Sequence, residues 1–359
     1  MKKILILANE SGGLYRFRGE LLEELVKHAE VVVSTPCLGK VDEIKSCGCR
    51  IIETDVDRRG MNPIKDLRLF LEYIRIIKKE KPDRILSYTI KPNMYGGLAA
   101  RILKVPFYPY VAGLGTPFQK ENLVSKILIL AHRIAFFKSP SVFFENAETM
   151  EFYKKHSIVN TNTIKIPGAG VNLQYFRYMP MPEIDHTEFV FIGRIMKEKG
   201  VDELFSTAQR LKEKYPSVVI NMVGPYEENY EKTVDELSDK RIIKFWGFQD
   251  DVKPIVYGSH CLVLPSYHEG MANVLLEAAA MGRILITSDI HGCKEAVEDG
   301  KNGYLVPVRD SSKLYEAMES IVLANQKQKD NMGKYSRRIV ERDFNREIVV
   351  NTTIDTLLR

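Results

Sequence analysis

Short apolar runs alternate with longer amphipathic stretches along almost the whole chain. Residues 4–8, 31–34, 51–53, 85–88, 107–111, 141–144 and 164–166 are brief and mostly apolar, the pattern of buried parallel strands. Between them, helical periodicity runs over residues 19–28 and 64–80. The second stretch is entered through Asn62-Pro63, where the missing N–H of proline costs nothing in a first helical turn. The strand pattern restarts at 189–192 and continues through 218–223, 242–246, 261–264, 284–287 and 304–306. Alternation of this kind predicts parallel sheets covered by helices on both faces.

The two series are separated by YMPMPEIDH, residues 178–186, whose two prolines and absent periodicity read as a linker. The expected architecture is α/β, with two Rossmann-like, doubly wound lobes over residues 1–178 and 179–335 and a helical segment over 336–359. In such sheets ligands gather outside the carboxyl ends of the strands, and two facing lobes make a central cleft. A length of 359 residues suits two domains, and 45% hydrophobic with 28% charged residues belongs to a globular chain.

The first residues, MKKILILANE, are basic and then apolar, but the run is too short for the core of a signal peptide. No apolar stretch is long enough to span a bilayer. Cys37, Cys47, Cys49, Cys261 and Cys293 form no CxxC pair and read as reduced thiols in the cytoplasm. The formal net charge of +5 conceals an imbalance. Residues 1–170 carry 27 Lys+Arg against 18 Asp+Glu, whereas residues 171–359 carry 25 against 29. A basic half suggests an anionic partner, and an uneven solvated surface would leave the same signature.

Three sites could carry chemistry. The first strand runs into Asn9-Glu10-Ser11-Gly12-Gly13, where Gly12 and Gly13 would let backbone N–H groups approach a phosphate; a plain tight turn reads equally well. Arg16 and Arg18 follow and favour an anion nearby. The strand at 189–192 ends in Gly193-Arg194, and Lys197, Lys199 and Gly200 lead into the next helix. A guanidinium fork and an ammonium at a strand's carboxyl end suit a diphosphate, although a solvated basic turn has the same composition. The third is LPSYHEGMANVLLEAAAMG, residues 264–282. With a helix beginning near Met271, Glu269 lies at its N-terminus and Glu277 two turns on, on a similar face. Two carboxylates so placed could accept hydrogen bonds from vicinal hydroxyls, and the amides of Gly270, Met271, Ala272 and Asn273 could hold a phosphate. Glu277 alone reads equally as an ordinary surface residue.

In this order and spacing, the motifs resemble glycosyltransferase family 4, of the GT-B fold. The E-x7-E motif stands as Glu269…Glu277 and the phosphate element as Gly193-Arg194…Lys199-Gly200. A glycine-rich stretch follows as Gly292, Glu295, Gly300, Gly303, Leu305 and Pro307. The resemblance implies a retaining transferase that binds a nucleotide-sugar, a UDP-sugar above all, in its C-terminal lobe and needs no metal or further cofactor. It assigns the diphosphate to Arg194 and Lys199 and the donor sugar to Glu269 and the neighbouring amides. The ribose falls to Glu277, and Gly12-Gly13 would close over the diphosphate from the other lobe.

Many members carry a His in the first lobe where this chain reads YVAGLGTPF, residues 110–118, with Gly113 and Gly115. Together with SYTIKPNMYG, residues 87–96, this resembles a subgroup that extends capsule, O-antigen or N-glycan precursors on polyprenyl diphosphate. Arg16, Lys91, Asn93, Gly113 and Gly115 are the candidates for sugar or acceptor contact. The expected activity is transfer of a hexose or N-acetylhexosamine to a polyprenyl-diphosphate-linked saccharide at the cytoplasmic face of a membrane. A nucleotide-sugar epimerase and a non-catalytic sugar-nucleotide-binding partner are the alternatives. Residues 120–138 carry apolar groups among Lys120, Lys126, His132, Arg133 and Lys138, and read equally as an in-plane helix on an anionic bilayer or a core-facing helix. Nucleic acid is not an expected partner, since no aromatics interleave with the cations.

Overall fold

The computed structural model describes residues 1–359 apart from 58, 59, 61 and 114–122, and apart from the side chains of 123 and 124. The described residues form two compact units, Met1–Ala169 with Glu347–Arg359, and Gly170–Arg346.

In the first unit, seven parallel strands are β1 (Lys2–Leu7), β2 (Ala29–Thr35), β3 (Arg50–Glu53), β4 (Arg84–Tyr88), β5 (Phe107–Val111), β6 (Ser141–Phe144) and β7 (Asn162–Lys165), in the order β3-β2-β1-β4-β5-β6-β7. Its helices are α1 (Ser11–Leu25), α2 (Val41–Ser46), α3 (Pro63–Glu80), α4 (Gly97–Leu103), α5 (Leu123–Ala135) and α6 (Ala147–Lys155). Successive side chains of a strand point to opposite faces, and both faces here are covered. Ile4 and Ile6 of β1 pack with Leu14, Leu21 and Leu22 of α1, whereas Leu5 and Leu7 pack with Tyr73 and Ile77 of α3. That is why the central strands read as nearly continuous apolar runs.

The second unit repeats the design with six parallel strands, β8 (Glu188–Ile192), β9 (Val219–Val223), β10 (Lys244–Phe245), β11 (Cys261–Leu264), β12 (Ile284–Ser288) and β13 (Gly303–Val306), in the order β10-β9-β8-β11-β12-β13. Its helices are α7 (Val201–Lys214), α8 (Glu231–Asp239), α9 (Lys253–Gly258), α10 (Asn273–Ala280), α11 (Ser311–Leu323) and α12 (Gln326–Asp343). The last helix, α13 (Arg346–Leu358), places Val349, Val350, Ile354 and Leu357 in the core of the first unit. No described helix is long and apolar enough to cross a membrane.

Among the differences from the sequence reading, two concern the first helix and the stretch between the strand series. The helix expected from residue 19 begins at Ser11, so Gly12 and Gly13 occupy its first turn rather than an open loop. The proline-containing stretch at 178–186 belongs to the second unit, where buried Arg283 donates to the carbonyls of Met179 and Pro180. The same guanidinium donates to the carbonyls of Tyr257, Ser259 and Met281, so its full burial leaves few donors unmatched. Desolvation lowers its pKa to about 10.

Candidate active site

In each sheet one pair of adjacent strands feeds connections that leave in opposite directions: β1 and β4 in the first unit, β8 and β11 in the second. A crevice outside the carboxyl ends of such a pair is where open α/β sheets bind ligands.

In the second unit β8 ends at Ile192, and Gly193 donates its N–H to Val223 O at 2.9 Å. A single 3-10 turn, Lys197–Lys199, then leads to Gly200, which has φ +70°. A Cβ at Gly200 would lie 2.1 Å from Pro265 O, so the two strand-end loops meet at van der Waals limits there. Tyr267 seals the junction by donating its N–H to Glu198 O at 2.8 Å. These contacts bring Lys199 to Glu269, seventy residues away, with Nζ 2.5 Å from Oε1. Ser266 Oγ donates to the same carboxylate oxygen at 2.8 Å. Both charged side chains are largely buried, at 17% and 13% exposure. Arg194 lies further out, 44% exposed, with Nη1 3.2 Å from Glu227 Oε1 on the loop after β9. Two cations thus stand at the carboxyl ends of β8 and β11, each against a carboxylate.

The loop carrying Glu269 is held from behind. Gly292, with φ +86°, approaches so closely that a Cβ would lie 2.5 Å from Glu269 O and 2.7 Å from Gly270 O. Gly292 in turn donates its N–H to Glu295 Oε2 at 2.8 Å and accepts from Ala272 N–H at 2.7 Å. Buried Cys293 has its thiol pushed up to about 12, by desolvation first and by the charge of Glu269 second, and remains a neutral thiol.

The helix expected near Met271 starts at Asn273, with Ala272 at the N-cap and no side-chain acceptor there. Two of the four amides proposed for phosphate are already committed, Ala272 N–H to Gly292 O and Asn273 N–H to Met271 O. Asn273 instead offers its side chain, whose buried Oδ1 has no hydrogen-bond partner among the described residues. Glu277 lies half-buried in the second turn of α10.

The first unit uses most of its candidates structurally. Gly12 N–H donates to Leu38 O at 3.2 Å, so that amide is not open to a phosphate. Arg16 is exposed on α1. Arg18, read as a sign of an anion nearby, is buried, with Nη2 3.1 Å from Glu145 Oε1 and its guanidinium 4.3 Å from the centre of the Tyr110 ring. Desolvation raises the Glu145 pKa, and the adjacent guanidinium opposes that shift. Lys91 pairs with Asp66 at 2.6 Å. Asn93 is buried, accepting from Ser87 Oγ and donating to Tyr110 O at 2.8 Å, and so locks the ends of β4 and β5 together. Gly113 lies just beyond β5, partly buried. Gly115 and Lys120 lie outside the described residues.

Sequence reasoning missed Glu227 and Ser266. Ser266 lies three residues before Glu269 and was within reach of a close reading. Glu227 becomes visible only once β8 and β9 are known to be neighbours.

Residues 186–323 match the family described as glycosyl transferases group 1, and residues 3–146 match glycosyl transferase 4-like. Over 350 residues the chain is 27% identical to N,N'-diacetylbacillosaminyl-diphospho-undecaprenol alpha-1,3-N-acetylgalactosaminyltransferase of Campylobacter jejuni, covering 92% of each protein. It is 26% identical over 308 residues to UDP-Gal:alpha-D-GlcNAc-diphosphoundecaprenol alpha-1,3-galactosyltransferase of Escherichia coli, covering 80% of this chain and 78% of that one. Among solved structures, Anabaena HepE in complex with UDP-glucose superposes with a TM-score of 0.79 at 16% identity, over 100% of this chain and 99% of that one.

Proposed function

We infer, from the premise that this chain belongs to glycosyltransferase family 4 and has the GT-B fold, that it transfers a hexose or N-acetylhexosamine from a UDP-sugar to a polyprenyl-diphosphate-linked saccharide. The observation that carries this reading is the Lys199–Glu269 pair at the ends of β8 and β11, with Arg194 beside it. Diphosphate carries concentrated negative charge, and these are the cations that can exchange a carboxylate partner for it. Glu269, released from Lys199, would accept hydrogen bonds from donor sugar hydroxyls, and Glu277 from the ribose. We assign the donor to the second unit and the acceptor to the first. The relatives' names supply the substrate classes, since both include a diphospho-undecaprenol sugar and one includes UDP-Gal.

In the proposed reaction the acceptor hydroxyl oxygen bonds to the anomeric carbon on the face the nucleotide leaves. The bond from that carbon to the β-phosphate oxygen breaks, and the acceptor proton passes to the departing phosphate. Configuration is retained. Lys199 and Arg194 would stabilise the charge growing on the leaving diphosphate, an electrostatic role commonly worth about 10²–10³ in rate for one preorganised donor. Because the acceptor's lipid end is anchored, the enzyme would work as a peripheral protein at the cytoplasmic face of the membrane.

The test is a transfer assay with a panel of UDP-sugars and a short-chain polyprenyl-diphosphate saccharide. Product must form with the wild type and fail with Lys199→Ala while the variant stays folded. Full activity in Lys199→Ala would remove the diphosphate role. Turnover of donor with no acceptor present would indicate an epimerase instead.

A further inference from the structure

The first unit leaves an apolar helical face outward. On α5 and its continuation, the inward side carries Ser125, His132, Ala135 and Phe136, all buried. The outward side carries Ile127, Leu130, Ile134 and Phe137, spaced by three, four and three residues as one helical stripe and 41–58% exposed. Lys126, Arg133 and Lys138 are exposed on the same side. Arg101 of α4 binds this edge, donating to Ile134 O at 3.1 Å with its guanidinium 4.3 Å from the centre of the Phe137 ring. Ile102 beside it is 60% exposed. Neither α4 nor residues 123–138 contain a single Asp or Glu. α4 packs against both α5 and α3, and α3 adds exposed Ile64, Leu67 and Leu71, again at helical spacing.

The α4–α5 part of this surface, apolar and carrying cations with no acids, fits a partner that is both apolar and anionic. The boundary between headgroups and acyl chains of an anionic bilayer has that chemistry: phosphates meet the lysines and arginines, and the apolar stripe enters beneath them. We propose that the α4–α5 face, extended by α3, docks on an anionic lipid bilayer with α5 in the plane of the interface. The inference deepens the lipid-linked acceptor reading and rests on it for its purpose, since docking brings the first unit to an acceptor whose lipid end is in the membrane.

The experiment is sedimentation of the full chain with phosphatidylcholine vesicles, with and without phosphatidylglycerol, and with no donor or acceptor present. The protein should pellet with the anionic vesicles and be released by salt. Leu130→Glu and Lys126→Glu should each weaken that partition roughly tenfold or more, because each adds a negative charge to the face. Both should keep transfer to a water-soluble short-chain acceptor. Equal pelleting with both vesicle types, or variants that bind like wild type, would overturn the docking face. So would a dimer in gel filtration that Leu130→Glu splits, since the stripe would then cover a second copy. Vesicle binding that persists while no lipid-linked acceptor is ever glycosylated would instead overturn the proposed reaction and leave the docking face standing.

Discussion

At the scale of single residues, burial separates what stabilises the fold from what serves the reaction. Arg194 and Glu227 pair at the surface, and such pairs contribute about 0–1 kcal/mol, so Arg194→Ala should melt almost like wild type. Lys199 and Glu269 are far less exposed, and removing the lysine leaves a mostly buried carboxylate that still accepts from Ser266 Oγ. Thermal unfolding of Lys199→Ala should therefore show a loss of about 1–2 kcal/mol, below the 3–5 typical of a fully buried pair. In transfer assays both variants should lose about 10²-fold or more in kcat/KM, and a variant that loses only stability would not be acting on the diphosphate.

Buried His260 in the second unit has its pKa lowered to about 4, chiefly by desolvation and further by Lys329 and Arg283. Its unfolded form takes up a proton near pH 6.5, so the unfolded state binds more protons throughout the interval down to about 4. Stability tied to this group is therefore present above pH 6.5 and lost as the pH falls towards 4, by up to about 3 kcal/mol. Urea midpoints at pH 7 and pH 5 should differ measurably less in His260→Asn, whose side-chain oxygen can still accept from Glu188 N–H as His260 Nδ1 does at 3.1 Å. An unchanged difference would mean that other groups carry the acid sensitivity.

At the scale of elements, the loops at the strand ends are set by backbone contacts more than by their own sequences. Gly292→Ala would drive a methyl group into the carbonyls of Glu269 and Gly270, at a position whose φ of +86° already disfavours a side chain. The loop must move, and Glu269 with it. Transfer should fall by at least tenfold while circular dichroism shows the fold retained, and undiminished activity would mean that the position of Glu269 is not set from Gly292.

Whereas the edge strands β3, β7 and β10 are only partly buried, the central strands were readable because they are buried on both faces, which leaves a nearly continuous apolar run. The start of α1 was not, because Glu10-Ser11-Gly12-Gly13 has the composition of a turn. Glycines cost a helix little in its first turn, where N–H groups have no intrahelical partner in any case. The candidate site is drawn from the sequence for a related reason: Arg194, Lys199 and Glu269 each follow a strand end, and strand ends are where such sheets gather ligands. The side chains of Arg18, Lys91 and Asn93 are engaged within the first unit in a way the sequence does not show. Their partners Glu145, Asp66 and Tyr110 lie far away in sequence and become neighbours only through the sheet order.

At the scale of the molecule, the chain completes most of one unit, builds the other, and returns α13 to the first. Each unit has its own core, with Val349, Ile354 and Leu357 serving the first and Leu275, Leu276 and Ile286 the second. Local opening can therefore be distinguished unit by unit through amide hydrogen exchange. A ligand that binds only the folded form suppresses opening of the region that holds it, by about 2.7 kcal/mol at a hundredfold excess over its Kd. If the nucleotide rests on Arg194, Lys199, Glu269 and Glu277, UDP should slow exchange most in the loops after β8 and β11 and at the start of α10. The β1–α1 junction, where Gly12 N–H is already bonded to Leu38 O, should change less. Protection concentrated at that junction would place the nucleotide in the first unit and reverse the assignment of donor and acceptor.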